Sequence, residues 1–103
     1  MNQTYRLTSG AESDTEQILR YTLDRWGEDQ AARYAAQIEA CLEKIATKQA
    51  AGRPFSKRFA DAFVHRCQHH YIFFVWNENI PVIVAILHEN MELVQRLGKR
   101  LGE

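Results

Sequence analysis

Four histidines carry most of the chemistry this chain could perform. His65, His69, His70 and His88 all lie in its second half, as do Arg53, Lys57, Arg58 and Arg66. Imidazoles titrate near neutrality and suit acid–base work. Cleaving RNA through its 2′-OH needs a base for that hydroxyl, an acid for the leaving oxygen and cations for the phosphorane charge. Arginine and lysine supply only the last of these, so a nuclease reading rests on the four histidines. A structural reading stands beside it. His69 and His70 fall at a turn, where polar residues belong, and His65 and His88 are strand residues that need only ordinary partners. No spacing resembles a structural zinc motif, and neither metal nor cofactor is expected.

A second set of residues suits binding. Phe73, Phe74 and Trp76 lie in one aromatic run. Alternation along a strand puts Phe73 and Val75 on one face and Phe74 and Trp76 on the other. One face must be core, and Phe74 and Trp76 are the candidates for a partner surface on the other. Arg53, Lys57 and Arg58 form a basic loop that could dock acidic residues, and Arg66 could bond a partner carboxylate. Met91, Arg96, Lys99 and Arg100 form a tail that is apolar on one side and cationic on the other. The formal net charge is zero, with 13 basic and 13 acidic residues, which argues against a dedicated nucleic-acid binder.

The elements that position these residues follow from periodicity. The 103 residues suffice for one domain, 1–103, with an ordinary core: 46% of them are hydrophobic and 25% charged. Residues 4–8 alternate as a short strand. Ser9-Gly10-Ala11-Glu12 fits a capping box with Ser9 as the cap. Ala11, Thr15, Ile18, Thr22 and Trp26 then mark one helical stripe, with Leu19 and Tyr21 beside it, and Gly27 stops the helix. A second helix restarts at Glu28, with Tyr34, Ile38, Cys41, Leu42 and Ile45 on one face, and ends at Gly52 and Pro54. So short a link predicts an antiparallel helical hairpin.

From Asp61 the period changes to two. Strands are expected over Phe63–Gln68, Tyr71–Trp76 and Pro81–Leu87, with turns near Gln68-His69-His70 and at Asn77-Glu78-Asn79. Glu89 to Leu101 forms a short terminal helix with Met91, Leu93, Leu97 and Leu101 as its apolar positions. The fold class is therefore α+β, in the order β-α-α-β-β-β-(α), with the hairpin on one face of a small antiparallel sheet and the other face open. Met1 to Thr8 has no apolar run of a signal peptide, and no stretch is long enough to span a membrane. The expectation is a cytoplasmic chain whose Cys41 and Cys67 are free thiols.

Several segments in this order resemble the RelE/ParE toxin superfamily, and within it the ParE branch. They are Tyr5-Arg6-Leu7-Thr8 leading into the first helix, Tyr21-Thr22 followed by Arg25-Trp26-Gly27, Gln30-Ala31 with Tyr34, Gly52-Arg53-Pro54, Ile72-Phe73-Phe74, and Ile86-Leu87-His88 with Met91. The resemblance implies a toxin neutralised by a ParD-like antitoxin, whose disordered segment folds onto it to give a hetero-oligomer. It also implies a target, DNA gyrase, poisoned by protein–protein binding. RelE-type relatives on the same fold instead cut messenger RNA on the ribosome, with Tyr, Arg and Lys from the sheet and tail. Where the family strand often reads Phe-Tyr-Arg, this chain has Phe73-Phe74-Val75, without the phenol or the guanidinium.

Two readings thus separate by mutation. A histidine nuclease loses toxicity on His65→Ala or His88→Ala while antitoxin binding persists. A gyrase binder keeps it in both variants and loses it when the segment after Met91 is removed. Growth arrest on induced expression, scored with and without antitoxin, distinguishes them.

Overall fold

The computed structural model describes residues 5–49 and 52–102. In chain order these form β1 (Arg6–Leu7), α1 (Ser9–Trp26), α2 (Glu28–Ala46), β2 (Arg53–Pro54), β3 (Phe63–Cys67), β4 (His70–Asn77), β5 (Ile80–His88) and α3 (Leu93–Arg100). The expected α+β order holds. Residue 4, placed in the first strand by the sequence, lies outside the described residues.

Local chemistry explains the boundaries. The cap of α1 is Thr8, one residue before the expected Ser9: its hydroxyl accepts from the Ala11 amide at 3.2 Å. Thr15 and Thr22 return their hydroxyls to the carbonyls of Ala11 and Ile18, which lets polar side chains sit on a packed helix. Gly27 is the whole joint between the helices. Its φ of 90° is open to glycine at no steric cost; its amide closes α1 on Leu23, and its carbonyl accepts the first bond of α2 from Ala31. Glu78 and Asn79 both take positive φ in the β4–β5 turn, the geometry that matches strand twist in a two-residue hairpin. Gln68 bears a φ of 57° in the β3–β4 turn, without the glycine or asparagine usual there.

The sheet runs β1-β5-β4-β3-β2. Strands β3, β4 and β5 form the expected antiparallel meander, with β2 antiparallel to β3. Strand β1, however, pairs parallel with β5, so the sheet is mixed. A helical hairpin between β1 and the meander returns the chain to the far edge, and β1 then lies alongside β5. Strand β2, two residues within the expected basic loop, is too short to leave a periodic signal.

The open second face is corrected. On one side Ile38, Leu42 and Ile45 of α2 and Ala11 of α1 pack on Ile72, Phe74, Ile83 and Ile86. On the other, Phe59, Ala62 and Leu97 cover Val64, Phe73, Ala85 and Leu87. Both faces are core, and each of Phe73 and Phe74 has 0% exposure. A β-bulge serves this arrangement. Phe73 pairs with Ala85 and Phe74 with Ile83, so Val84 is the extra residue and lies with Ala85 on the same face.

The free thiols are corrected as well. Cys41 and Cys67 form a disulfide with their Cα atoms 6.2 Å apart. The helical period of α2 sets Cys41 above the end of β3, within the separation a bridge can span. An argument from compartment alone missed this juxtaposition. No helix among the described residues is long and apolar enough to cross a membrane.

The bridge closes a loop between residues 26 apart in sequence, and restricting the unfolded chain in this way contributes about 3 kcal/mol. Thermal unfolding with and without a phosphine reductant measures it. Reduction should lower the midpoint of the native chain and leave Cys41→Ser unchanged; equal midpoints for the oxidised and reduced native chain would contradict the bridge.

Candidate functional site

A groove of 760 Å³ lies between the helical hairpin and the outer end of β5. Helix α1 contributes Asp14, Gln17, Ile18, Tyr21, Thr22 and Trp26; α2 contributes Gln30 and Tyr34. Ile86 and His88 of β5, followed by Asn90 and Met91, form the opposite wall, and His69 and His70 close one end. Its rim is unusually apolar: Trp26 is 67% exposed, Tyr21 60% and Met91 41%. Exposed aromatics beside a concave wall mark a binding surface more than a solvated one.

α1 and α2 meet at Gly27, and Tyr21 and Trp26 lie in the part of α1 that approaches this joint, across the groove from Ile86 and His88 of β5. Of the rim residues, Met91 alone was a sequence candidate. The stripe did include Trp26, and its position next to the glycine joint was the signal that could have set it apart from the core.

Three of the four histidines gather at the groove's closed end. His70 and His88 are cross-strand partners with ring centroids 5.1 Å apart, set edge to face. The Tyr34 hydroxyl and Nδ1 of His70 share a hydrogen bond. Burial first, then the neighbouring His88 and His69, push His70 down to about 4, so it is neutral at pH 7. Burial likewise raises the Tyr34 phenol. His88 Nδ1 accepts from the Asn90 amide at 3.1 Å. His69 bonds Glu89 at 2.9 Å, and Arg66 pairs with the other oxygen of the same carboxylate. The His69 bond, followed by Arg66, holds Glu89 below the usual carboxylate range.

His65 is not part of this cluster. It lies on β3 between Phe63 and Cys67, and burial with the nearby Lys44 lowers its pKa. The gathered imidazoles thus have internal partners, and Arg66, the cation nearest them, is engaged by Glu89, Tyr71 and the Gln68 carbonyl. Among the described residues no group of three His, Cys, Asp or Glu could hold a metal.

The binding candidates divide. Phe74 is sealed in the helix-side core and offers no surface, because that face is covered by α2. Trp76 is half-buried at the margin of the same core, with Lys48 Nζ 5.7 Å from its ring centre. Arg53 is exposed in β2, and Arg58 lies over the Phe59 ring at 5.3 Å. In α3, Arg96 and Lys99 are exposed. Arg100 is half-buried, bonded to Asp14 and to the Val84 carbonyl. The groove, the outer side of α3 and the β2–β3 edge with Arg53 and Arg66 are therefore the surfaces with accessible candidates.

Comparison with known proteins agrees with this architecture. A sequence model of the ParE toxin of the type II toxin–antitoxin system parDE matches residues 5–93. Toxin ParE of Escherichia coli is 40% identical over 98 residues, covering 94% of this chain and 95% of that one. Toxin ParE1 of Caulobacter vibrioides is 33% identical over 96 residues, with coverage of 91% and 97%. In a solved structure of a chromosomal ParDE system from P. aeruginosa, one chain superposes with a TM-score of 0.69 at 19% identity, covering 82% of this chain and 96% of its own.

The buried, neutral His70 makes a pH prediction. Its unfolded value is 6.5 and its folded value about 4, so protons bind the unfolded chain first. Stability is complete above pH 6.5 and falls as pH drops from there toward 4. Urea midpoints across that range should decline more steeply for the native chain than for His70→Gln. Parallel declines would mean that His70 is not held neutral.

Proposed function

The chain belongs to the ParE toxin family of type II toxin–antitoxin systems, and from that premise we propose that it acts by binding, first to a ParD-like antitoxin and, when released, to DNA gyrase. The observation that carries this reading is the groove rimmed by Tyr21, Trp26 and Met91. An antitoxin segment that is disordered alone can order itself along such a wall, burying apolar residues against the three exposed side chains. The histidine end offers hydrogen-bonding atoms to fix its register. Antitoxin and toxin together form a hetero-oligomer.

The outer side of α3 supplies the gyrase surface in this reading. Arg96 and Lys99 are exposed cations on α3, and Val94 and Leu101 are exposed apolar residues of the same segment. Arg53, Arg58 and Arg66 form a separate basic region at the β2–β3 edge and are further antitoxin contacts. No step needs a catalytic group or cofactor. The missing phenol and guanidinium at Phe74 and Val75, and the internal partners of His69, His70 and His88, support inhibition by association.

Large aromatics at the centre of an interface carry much of its energy. Trp26→Ala and Tyr21→Ala should each weaken antitoxin affinity by about tenfold or more, measured by calorimetry with the purified cognate antitoxin. Both variants should still arrest growth and should escape neutralisation. Arg96→Glu with Lys99→Glu should show the reverse: antitoxin binding kept and gyrase inhibition lost. Native antitoxin affinity in both aromatic variants would remove the groove from the account.

A further inference from the structure

Strand β5 runs from Ile80 to His88, but among the described residues β1 accompanies it only opposite Val82 and Ile83. At that point the Thr8 amide donates to the Ile83 carbonyl at 3.0 Å, and the chain turns into α1. Two backbone groups beyond it then face the strand's outer edge. The Val84 carbonyl accepts from Arg100 Nη1 at 2.8 Å. The Ile86 amide donates to Asp14 Oδ2 at 2.9 Å. The two side chains also bond each other, at 2.8 and 3.1 Å. An acceptor and a donor, held together, are presented in the order a neighbouring peptide would present them.

The surroundings fit this arrangement. Side-chain exposure is 13% for Asp14 and 29% for Arg100, so both pair in a partly dry setting. Gly10, in the first turn of α1, leaves the passage for Arg100. A Cβ there would lie 2.7 to 2.9 Å from three of its side-chain atoms. Helix interiors disfavour glycine, and here the close approach accounts for it.

We propose that Asp14 and Arg100 together replace the missing continuation of β1: they close the edge of β5 and dock α3 on the sheet. Helix α3 is eight residues long, and a helix of that length needs an external anchor. Leu93 and Leu97 give it apolar contacts, Leu97 with 0% exposure. The Arg100 bonds add a polar anchor one turn on from Leu97. The pair is thus more than an ion pair. It has a direction, because the cation must meet a carbonyl and the anion an amide. Asp14 is a positioning residue for α3, and the link to toxicity rests on the proposal that α3 carries the target surface.

Hydrogen exchange on the full chain tests this without reference to any target, so its failure is separate from failure of the gyrase reading. Asp14→Ala should speed exchange of the Ile86 amide and of the α3 amides by about tenfold or more, the effect of losing a charged hydrogen bond. The decisive variant is the exchange of charges, Asp14→Arg with Arg100→Asp. It restores an ion pair but sets a carboxylate against the Val84 carbonyl and a guanidinium against the Ile86 amide. Fast exchange in the double variant is expected; native protection would reduce the pair to a simple salt bridge and overturn the proposal. Gly10→Ala retains both charges and should loosen α3 while the Ile86 amide stays protected, which keeps the test available if Asp14→Ala unfolds. Native α3 protection in Gly10→Ala would also count against the proposal.

Discussion

The outer edge of β5 is the constraint on which the rest of the structure depends. Its inner residues, Ile83 to Leu87, are buried on both faces of the sheet, yet among the described residues its strand neighbour on that side covers two residues. Buried backbone groups must be paired, and an open edge here would leave them facing apolar surroundings. Thr8, Asp14 and Arg100 provide the pairing from a cap, a helix and the tail. The sheet edge thereby fixes where α1 enters, where α3 lies and where the groove begins. The Val84 bulge belongs to the same solution, since it sets Val84 and Ala85 together beneath the second layer.

Two covered faces leave little sheet for a partner. The accessible apolar surface lies towards the hairpin joint, at Tyr21 and Trp26, and on α3 and its end, at Val94 and Leu101. The histidines sit between these regions as neutral or internally partnered groups. Their arrangement suits a polar end-wall for a bound segment, and the buried His70 makes that wall rigid near neutral pH. Arg66, bonded to Glu89 beside His69, is part of the same polar network.

Much of the architecture was legible in the sequence because it is local. The 3.6-residue stripe from Tyr34 to Ile45 gave α2, Gly27 gave the joint, and the change to period two gave the meander. What escaped is long-range. Alternation separates Phe73 from Phe74 but does not say that both faces are covered, so Phe74 was offered as surface when it is core. Asp14 and Arg100 are 86 residues apart, and each looks alone like an ordinary helix charge. The Cys41–Cys67 bridge depends on how α2 lies over β3, which periodicity does not specify. Strand β2 and the parallel pairing of β1 depend on edges, which leave no hydrophobic pattern. The family segments include Tyr21, Trp26 and Met91, but only Met91 was read as a contact; Trp26 was read as part of a helical stripe and Tyr21 as beside it.

In the proposed reading the protein works by contact, with the groove for its antitoxin, α3 for its target, and a sheet edge that holds the second in place. The most direct test is the purified chain in a gyrase supercoiling reaction beside a ribosomal translation reaction probed for mRNA cuts. Loss of supercoiling or gyrase-trapped DNA breaks, with intact mRNA, is the expected result. Cut mRNA with unaffected gyrase would contradict it and return the chemistry to His69, His70 and His88.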